Sequence, residues 1–204
     1  MFRKLAGLTA IAGLFVAGTA SADITGSVHD FTAEIGTTDL CAVCHTTHND
    51  TSGIADAPLW DHAVTTQAYT PYTSNTMQSI TSSTPVLPSG ISALCLSCHD
   101  GTVAVDSYGG VTGTDVIDGG AFTAGVGAGM LDADLSSEHP ISMSYAAAGE
   151  TGTGFQAAPL DGIPLFSGNV ECASCHDVHN QSGLGQLLIN TNAASELCLD
   201  CHIK

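Results

Sequence analysis

Eight cysteines fix what this chain can become, because every one of them falls in the same five-residue frame. The frames are Cys41-Ala42-Val43-Cys44-His45, Cys95-Leu96-Ser97-Cys98-His99, Cys172-Ala173-Ser174-Cys175-His176 and Cys198-Leu199-Asp200-Cys201-His202. Two thiols two residues apart reach the two vinyl groups on one porphyrin edge and form thioethers with them. The histidine that follows then stands over the iron. C-x-x-C-H is therefore a c-type haem attachment site. Four of them predict four covalently bound c-type haems, with His45, His99, His176 and His202 as proximal iron ligands. Disulfide frameworks, zinc ribbons and redox dithiols also pair cysteines. None of these needs histidine at the next position, and histidine supplies only 9 of 204 residues.

The first residues point to export. Arg3 and Lys4 precede an apolar run from Leu5 to Ala17, and Ala20-Ser21-Ala22 follows. A positive start, a short apolar stretch and an A-x-A site predict a signal peptide over 1–22, cleaved before Asp23. The run is too short to span a bilayer, so no membrane span is expected in the mature chain. Without the leader, Lys204 is the lone base against 20 acids. Such a surface excludes nucleic acid and anionic lipid as partners and suits cations, basic proteins or positively charged mineral surfaces. Acidity also keeps an exported protein soluble.

The motifs come as a duplication. Cys41 to Asn49 reads CAVCHTTHN and Cys172 to Asn180 reads CASCHDVHN, while Leu94 to His99 (LCLSCH) matches Leu197 to His202 (LCLDCH). The same ordered pair occurs twice, which predicts two close haem pairs within a single tetrahaem domain over 23–204. The first pair falls in about 23–110 and the second in about 171–204. Between them lies a haem-poor segment rich in Gly, Thr and Ala, about 111–170.

Gly, Pro, Ser, Thr, Asn and Asp punctuate the chain, and periodic apolar stretches are few. The expected fold is mostly irregular coil with short helices and little strand, organised by haem. A helix through Leu94–His99 ending at Gly101, another capped by Asn192 over Ala193–Cys201, and a short strand at Thr102–Val105 are expected. Aromatics make up only 5% of the residues, so the porphyrins have to supply the apolar core.

Beyond the proximal ligands stand His29, His48, His62, His139 and His179. Four irons need four distal imidazoles, and an iron with both axial positions filled has no open site for a substrate. His48 and His179 each lie three residues past a proximal histidine. Neither crosses easily to the far face of its own iron, so they are expected on the partner haem, His48 on the second and His179 on the fourth. By parity His29 serves the first haem and His139 the third, which leaves His62 as the spare or alternative distal ligand. Met77, Met130 and Met143 are weaker axial candidates. Trp60 reads as an aromatic packed on haem.

The pieces interleaved with these motifs carry a resemblance. They are Val28-His29-Asp30-Phe31, Cys44 to Asn49, Pro58-Leu59-Trp60, Leu94 to Gly101, Glu138-His139-Pro140-Ile141-Ser142 and Cys172 to Asn180. With them the chain resembles extracellular multihaem c-type cytochromes of the doubled C-x-x-C-H type, from metal-respiring and related bacteria. Within these it is most similar to the tetrahaem members that polymerise into conductive filaments, the cytochrome nanowires. The resemblance implies an electron carrier rather than an enzyme, working as a homopolymer in an extracellular or cell-surface filament. It further implies redox partner proteins or extracellular acceptors such as metal oxides.

A monomeric periplasmic shuttle needs the same four haems and is the alternative. A multihaem reductase with one open iron is a third possibility. If the chain polymerises, a histidine on a loosely held terminal arm is the natural donor to a neighbouring copy. His29, seven residues into the mature chain, is the expected donor, with His62 next.

Overall fold

The computed structural model describes residues 23–48, 50, 52–57, 59–75, 88–117, 130–145 and 154–203. The leader at 1–22, Met77 and Lys204 lie outside the described residues. Among those described, most of the chain is coil, with three short α-helices, two 3-10 turns and one two-stranded sheet. No described helix is long and apolar enough to cross a membrane.

The one helix of any length is α1, Gly90–His99. Ser89 enters it extended, and its Ile91, Ser92, Leu94, Leu96 and Ser97 are buried, so it is covered on more than one side. It stops where Asp100 N–H turns back to the Leu96 carbonyl at 2.8 Å and Gly101 N–H to that of Cys98 at 3.1 Å. Gly101 sits at φ +71°, the left-handed conformation that ends helices and that glycine adopts without strain. The strand expected over Thr102–Val105 does not form. Val103 N–H bonds the Ser97 carbonyl and Val105 N–H that of Asp115, so these donors serve the helix end and a loop instead of an extended neighbour.

Strand β1, Met143–Ser144, pairs antiparallel with β2, Asn169–Val170, with Met143 opposite Val170. Helix α2, Cys172–Cys175, follows at once. Glu171 caps it through a reciprocal arrangement with Ser174, whose hydroxyl accepts the Glu171 N–H at 3.0 Å. Helix α2 packs against α1. Helix α3, Glu196–Leu199, follows a 3-10 turn at Ala193–Ser195. The side chain of Asn192 caps neither element. Thr191 does that work, its hydroxyl accepting the Ala193 N–H and its carbonyl the Leu197 N–H.

Among the described residues two small apolar clusters form, and each takes in motif cysteines. Phe31, Val43 and Val105 gather Ile35, Cys44 and Cys98; Met143, Tyr145 and Val170 gather Phe155, Leu160, Leu165 and Cys201. Meanwhile Val28, Leu59, Val178 and Ile203 are exposed although large and apolar. Each is the immediate neighbour of His29, Trp60, His179 or His202. The chain leaves apolar surface uncovered at its histidines, where a flat apolar ligand would cover it.

Candidate functional site

The four C-x-x-C-H motifs follow one another in space in chain order. Cys44 and Cys98 meet in the first cluster. Where α1 packs on α2, Cys95 and Cys172 are hydrogen-bonded to each other. Cys175 in turn feels the charge of Cys198, and Cys201 that of Cys175. The duplication suggests the outer two contacts. The junction between Cys95 and Cys172, which locks the two halves together, is not legible in it.

Histidine rings face one another at three of the motifs. His29 lies 6.0 Å from His99, His179 lies 6.2 Å from His45, and His139 lies 6.5 Å from His202, centroid to centroid. Two imidazoles bound in line to one metal, at about 2 Å per bond, place their centroids roughly 6 Å apart. The spacing therefore fits an iron between each pair. Further contacts orient the rings. His176 and His139 direct Nδ1 at the carbonyls of Gln186 and Pro140, at 2.8 and 2.9 Å. The His179 Nδ1 lies 3.5 Å from the Asp177 carboxylate. Holding Nδ1 this way leaves Nε2 for a metal.

The pairing departs from parity. His29 faces the second motif rather than the first, and His179 the first rather than the fourth; His139 faces the fourth rather than the third. A duplication does not specify how its copies dock: α1 packs on α2, and the segment after the third motif lies beside His45. Nor is the N-terminal segment a free arm in this structure. Asp23 N–H donates to the His179 carbonyl at 2.8 Å, and His29 sits edge-on to Phe31 of the first cluster. Burial, with His99 and His176 nearby, lowers the His29 pKa to about 4. Above that pH its ring is neutral and able to bind a metal.

His48 is exposed, and among the described residues no ring stands opposite it or opposite His176, which is also exposed. His62 is buried, with Nδ1 against the Ala63 carbonyl at 2.8 Å and Nε2 against that of Ala104 at 2.9 Å. Both of its nitrogens are engaged by the chain. Met143 is buried in the second cluster, and the Met130 methyl lies beside Gly101.

Among the described residues, two buried ring nitrogens stand without partners: Nδ1 of His29 and Nε1 of Trp60. Trp60 meets both His45 and His62 edge-on. An unsatisfied buried N–H is costly, and a haem carboxylate beside the first motif would accept the indole proton. The residues thus fit haem, with cysteines for thioethers, paired imidazoles for iron and uncovered apolar side chains for the ring faces. They do not fit zinc. Among the described residues no three His, Cys, Asp or Glu side chains gather as a metal ion requires. Burial also pushes the Cys44 thiol up to about 11 and Cys98 to about 12, away from the thiolate that zinc needs.

A family model described as the doubled CXXCH motif matches residues 164–204, which hold the third and fourth motifs. No curated protein matches the chain. The doubled motif is the signature of multihaem c-type cytochromes, and through it the chain is a covalent haem-binding electron-transfer protein.

Proposed function

We propose that the chain is exported, carries four haems and moves electrons along them as the protomer of an extracellular filament. When bound, haem supplies the one-electron ferric–ferrous couple, and the chain supplies spacing, axial ligands and exclusion of water. Covalent attachment at Cys41/Cys44, Cys95/Cys98, Cys172/Cys175 and Cys198/Cys201 strings the sites in sequence order. His45 with His179, His99 with His29 and His202 with His139 would hold the metal at three of them, and an iron held by two imidazoles has no room for a substrate. The protein is on this reading a conductor and not an enzyme.

The observation that carries the filament is what remains at the third motif. Exposed His176 has no ring opposite it among the described residues, and exposed His48 has none either. Each supplies what the other lacks, and a His48 offered to the next copy's third site makes a head-to-tail contact that does not close. His48 accordingly replaces His29 as the linking histidine. The monomeric periplasmic shuttle is the second reading, favoured by the single base against 20 acids, which suits docking on a basic partner.

Intact mass should equal the chain from Asp23 plus four haems, and negative-stain microscopy should show filaments. His48→Ala should abolish the filaments and leave soluble protomers with one high-spin iron. Haem-loaded protein that never polymerises would favour the shuttle, and bound zinc without haem would end both readings.

A further inference from the structure

Glu171 is the only carboxylate buried among the described residues, 2% exposed, and it sits where the two halves of the molecule join. Its Oε2 accepts the Ser92 hydroxyl, the Ser142 hydroxyl at 3.0 Å and the Ser92 backbone N–H at 3.2 Å. The Ser92 hydroxyl is turned to donate, because its Oγ already accepts the Cys172 N–H at 3.0 Å; Ser142 Oγ accepts the Ser89 N–H at 2.8 Å, and its proton is shared between Glu171 and the Ser89 carbonyl at 3.2 Å. The fit is tight: a Cβ added at Gly90 would lie 3.0 Å from Oε1. A ring of donors around one oxygen is the environment of an ionised carboxylate.

A buried charge needs a partner of opposite sign, and this chain has none to offer. From Leu5 to Ile203 there is no lysine or arginine. The 310 Å³ recess that reaches Glu171 is lined by Ser89, Gly90, Ser167, Asn169 and a second acid, Asp56. The other titratable groups that feel it are Cys95 and Cys172, which cease to titrate once they are thioethers. Those two cysteines belong to the second and third motifs. The compensating charge therefore has to come from the irons that the second and third motifs attach.

Resting on the reading that both motifs hold haem, we infer that Glu171 is a built-in counter-charge for the two middle sites. It stabilises their ferric state, so that they are harder to reduce than the outer two. One-electron reduction removes the positive charge that the carboxylate offsets, and no proton or bond change is required. At an effective dielectric constant of about 20, unit charges on the order of ten ångströms apart bias such an equilibrium on the order of tenfold.

The test is a spectroelectrochemical titration of the haem-loaded protein and its Glu171→Gln variant, which keeps the shape and loses the charge. Two of the four midpoint potentials should rise, each by about a tenfold change in the ferrous-to-ferric ratio, which is 59 mV for one electron. The other two should stay. Four unmoved potentials in a folded, four-haem variant would overturn the inference, whereas a variant or wild type without haem would overturn the function it rests on. Should Glu171→Gln not fold, redox-difference infrared spectra of wild type carrying carbon-13 glutamate decide the matter. An ionised carboxylate band that shifts with the middle pair supports the counter-charge, and a protonated or unresponsive one refutes it.

Discussion

Nearly the same six residues close helix α1, as Leu94–His99 (LCLSCH), and run on from helix α3, as Leu197–His202 (LCLDCH), yet they live in different physical worlds. In α1 the helix runs ten residues, and Leu96 and Ser97 are fully buried at 0% exposure. Ser97 donates to the Ala93 carbonyl and accepts the Thr65 N–H at 2.9 Å, which ties the helix to a segment thirty-two residues away. In α3 the helix runs four residues and buries none of them. Asp200, where Ser97 stands in the other copy, takes a single side-chain bond from Asn190 at 2.8 Å. The repeated sequence specifies the same attachment chemistry twice. Position in the assembly then makes one copy the centre of the molecule and the other its edge, so equal sequence should not mean equal sensitivity.

Removing the attachment cysteines should test this hardest. Cys95→Ser with Cys98→Ser should leave a chain that does not fold, because α1 would lose the haem that both halves pack around. The same change at Cys198 and Cys201 should leave a folded three-haem protein. Haem count by mass and the visible circular dichroism spectrum read the two outcomes, and a folded product from the α1 variant would break the comparison.

Next in size is an exchange at the equivalent position. Ser97→Asp should cost about 3 kcal/mol or more, since it sets a buried carboxylate against the Ala93 carbonyl that the Ser97 hydroxyl now satisfies. Asp200→Ser should stay within about 0.5 kcal/mol, as expected for a surface position. Leu96→Ala and Leu199→Ala sharpen the same contrast, at about 2–5 kcal/mol for the buried leucine and well below that for the other. Denaturant midpoints of haem-loaded protein measure all four.

Acid should separate the axial ligands. His29 has a folded pKa lowered to about 4 by burial, against about 6.5 unfolded. Its neutral state costs nothing above that upper value. Between the two values the unfolded chain binds a proton that the folded chain refuses, so stability at this site falls as pH drops through the window. Exposed His139, on the α3 side, lacks that shelter. Stepwise acidification should release His139 from the fourth site before His29 from the second, seen as successive high-spin signals whose order the His139→Ala variant identifies.

The smallest effect is spectroscopic. The imidazole planes of His45 and His179 lie 11° apart, while those of His139 and His202 lie 77° apart. Near-parallel ligand planes split the iron d orbitals rhombically, and crossed planes leave them nearly degenerate. Electron paramagnetic resonance of oxidised protein should show one rhombic low-spin set and one strongly anisotropic set, and His139→Ala should remove the second alone.

The attachment chemistry is written in the sequence. C-x-x-C-H is a local constellation, fixed by the reach of two thiols and the following imidazole, and no distant contact is needed to read it. The coil-rich, haem-organised architecture was equally legible, because so few apolar and aromatic residues cannot build a core unaided. Which histidine meets which motif emerges only on folding. Parity placed His29 on the first site and His48 on the second, but a duplication carries no information about how its copies dock. Docking turns on Glu171, whose carboxylate reaches Ser92 of α1 seventy-nine positions earlier. Beside that bond Cys95 meets Cys172, and further along the same segment His179 lies against His45. Long-range contacts of this kind rest on burial and hydrogen bonding between segments whose own sequences are each compatible with many partners, and so the pairing waits for the folded chain.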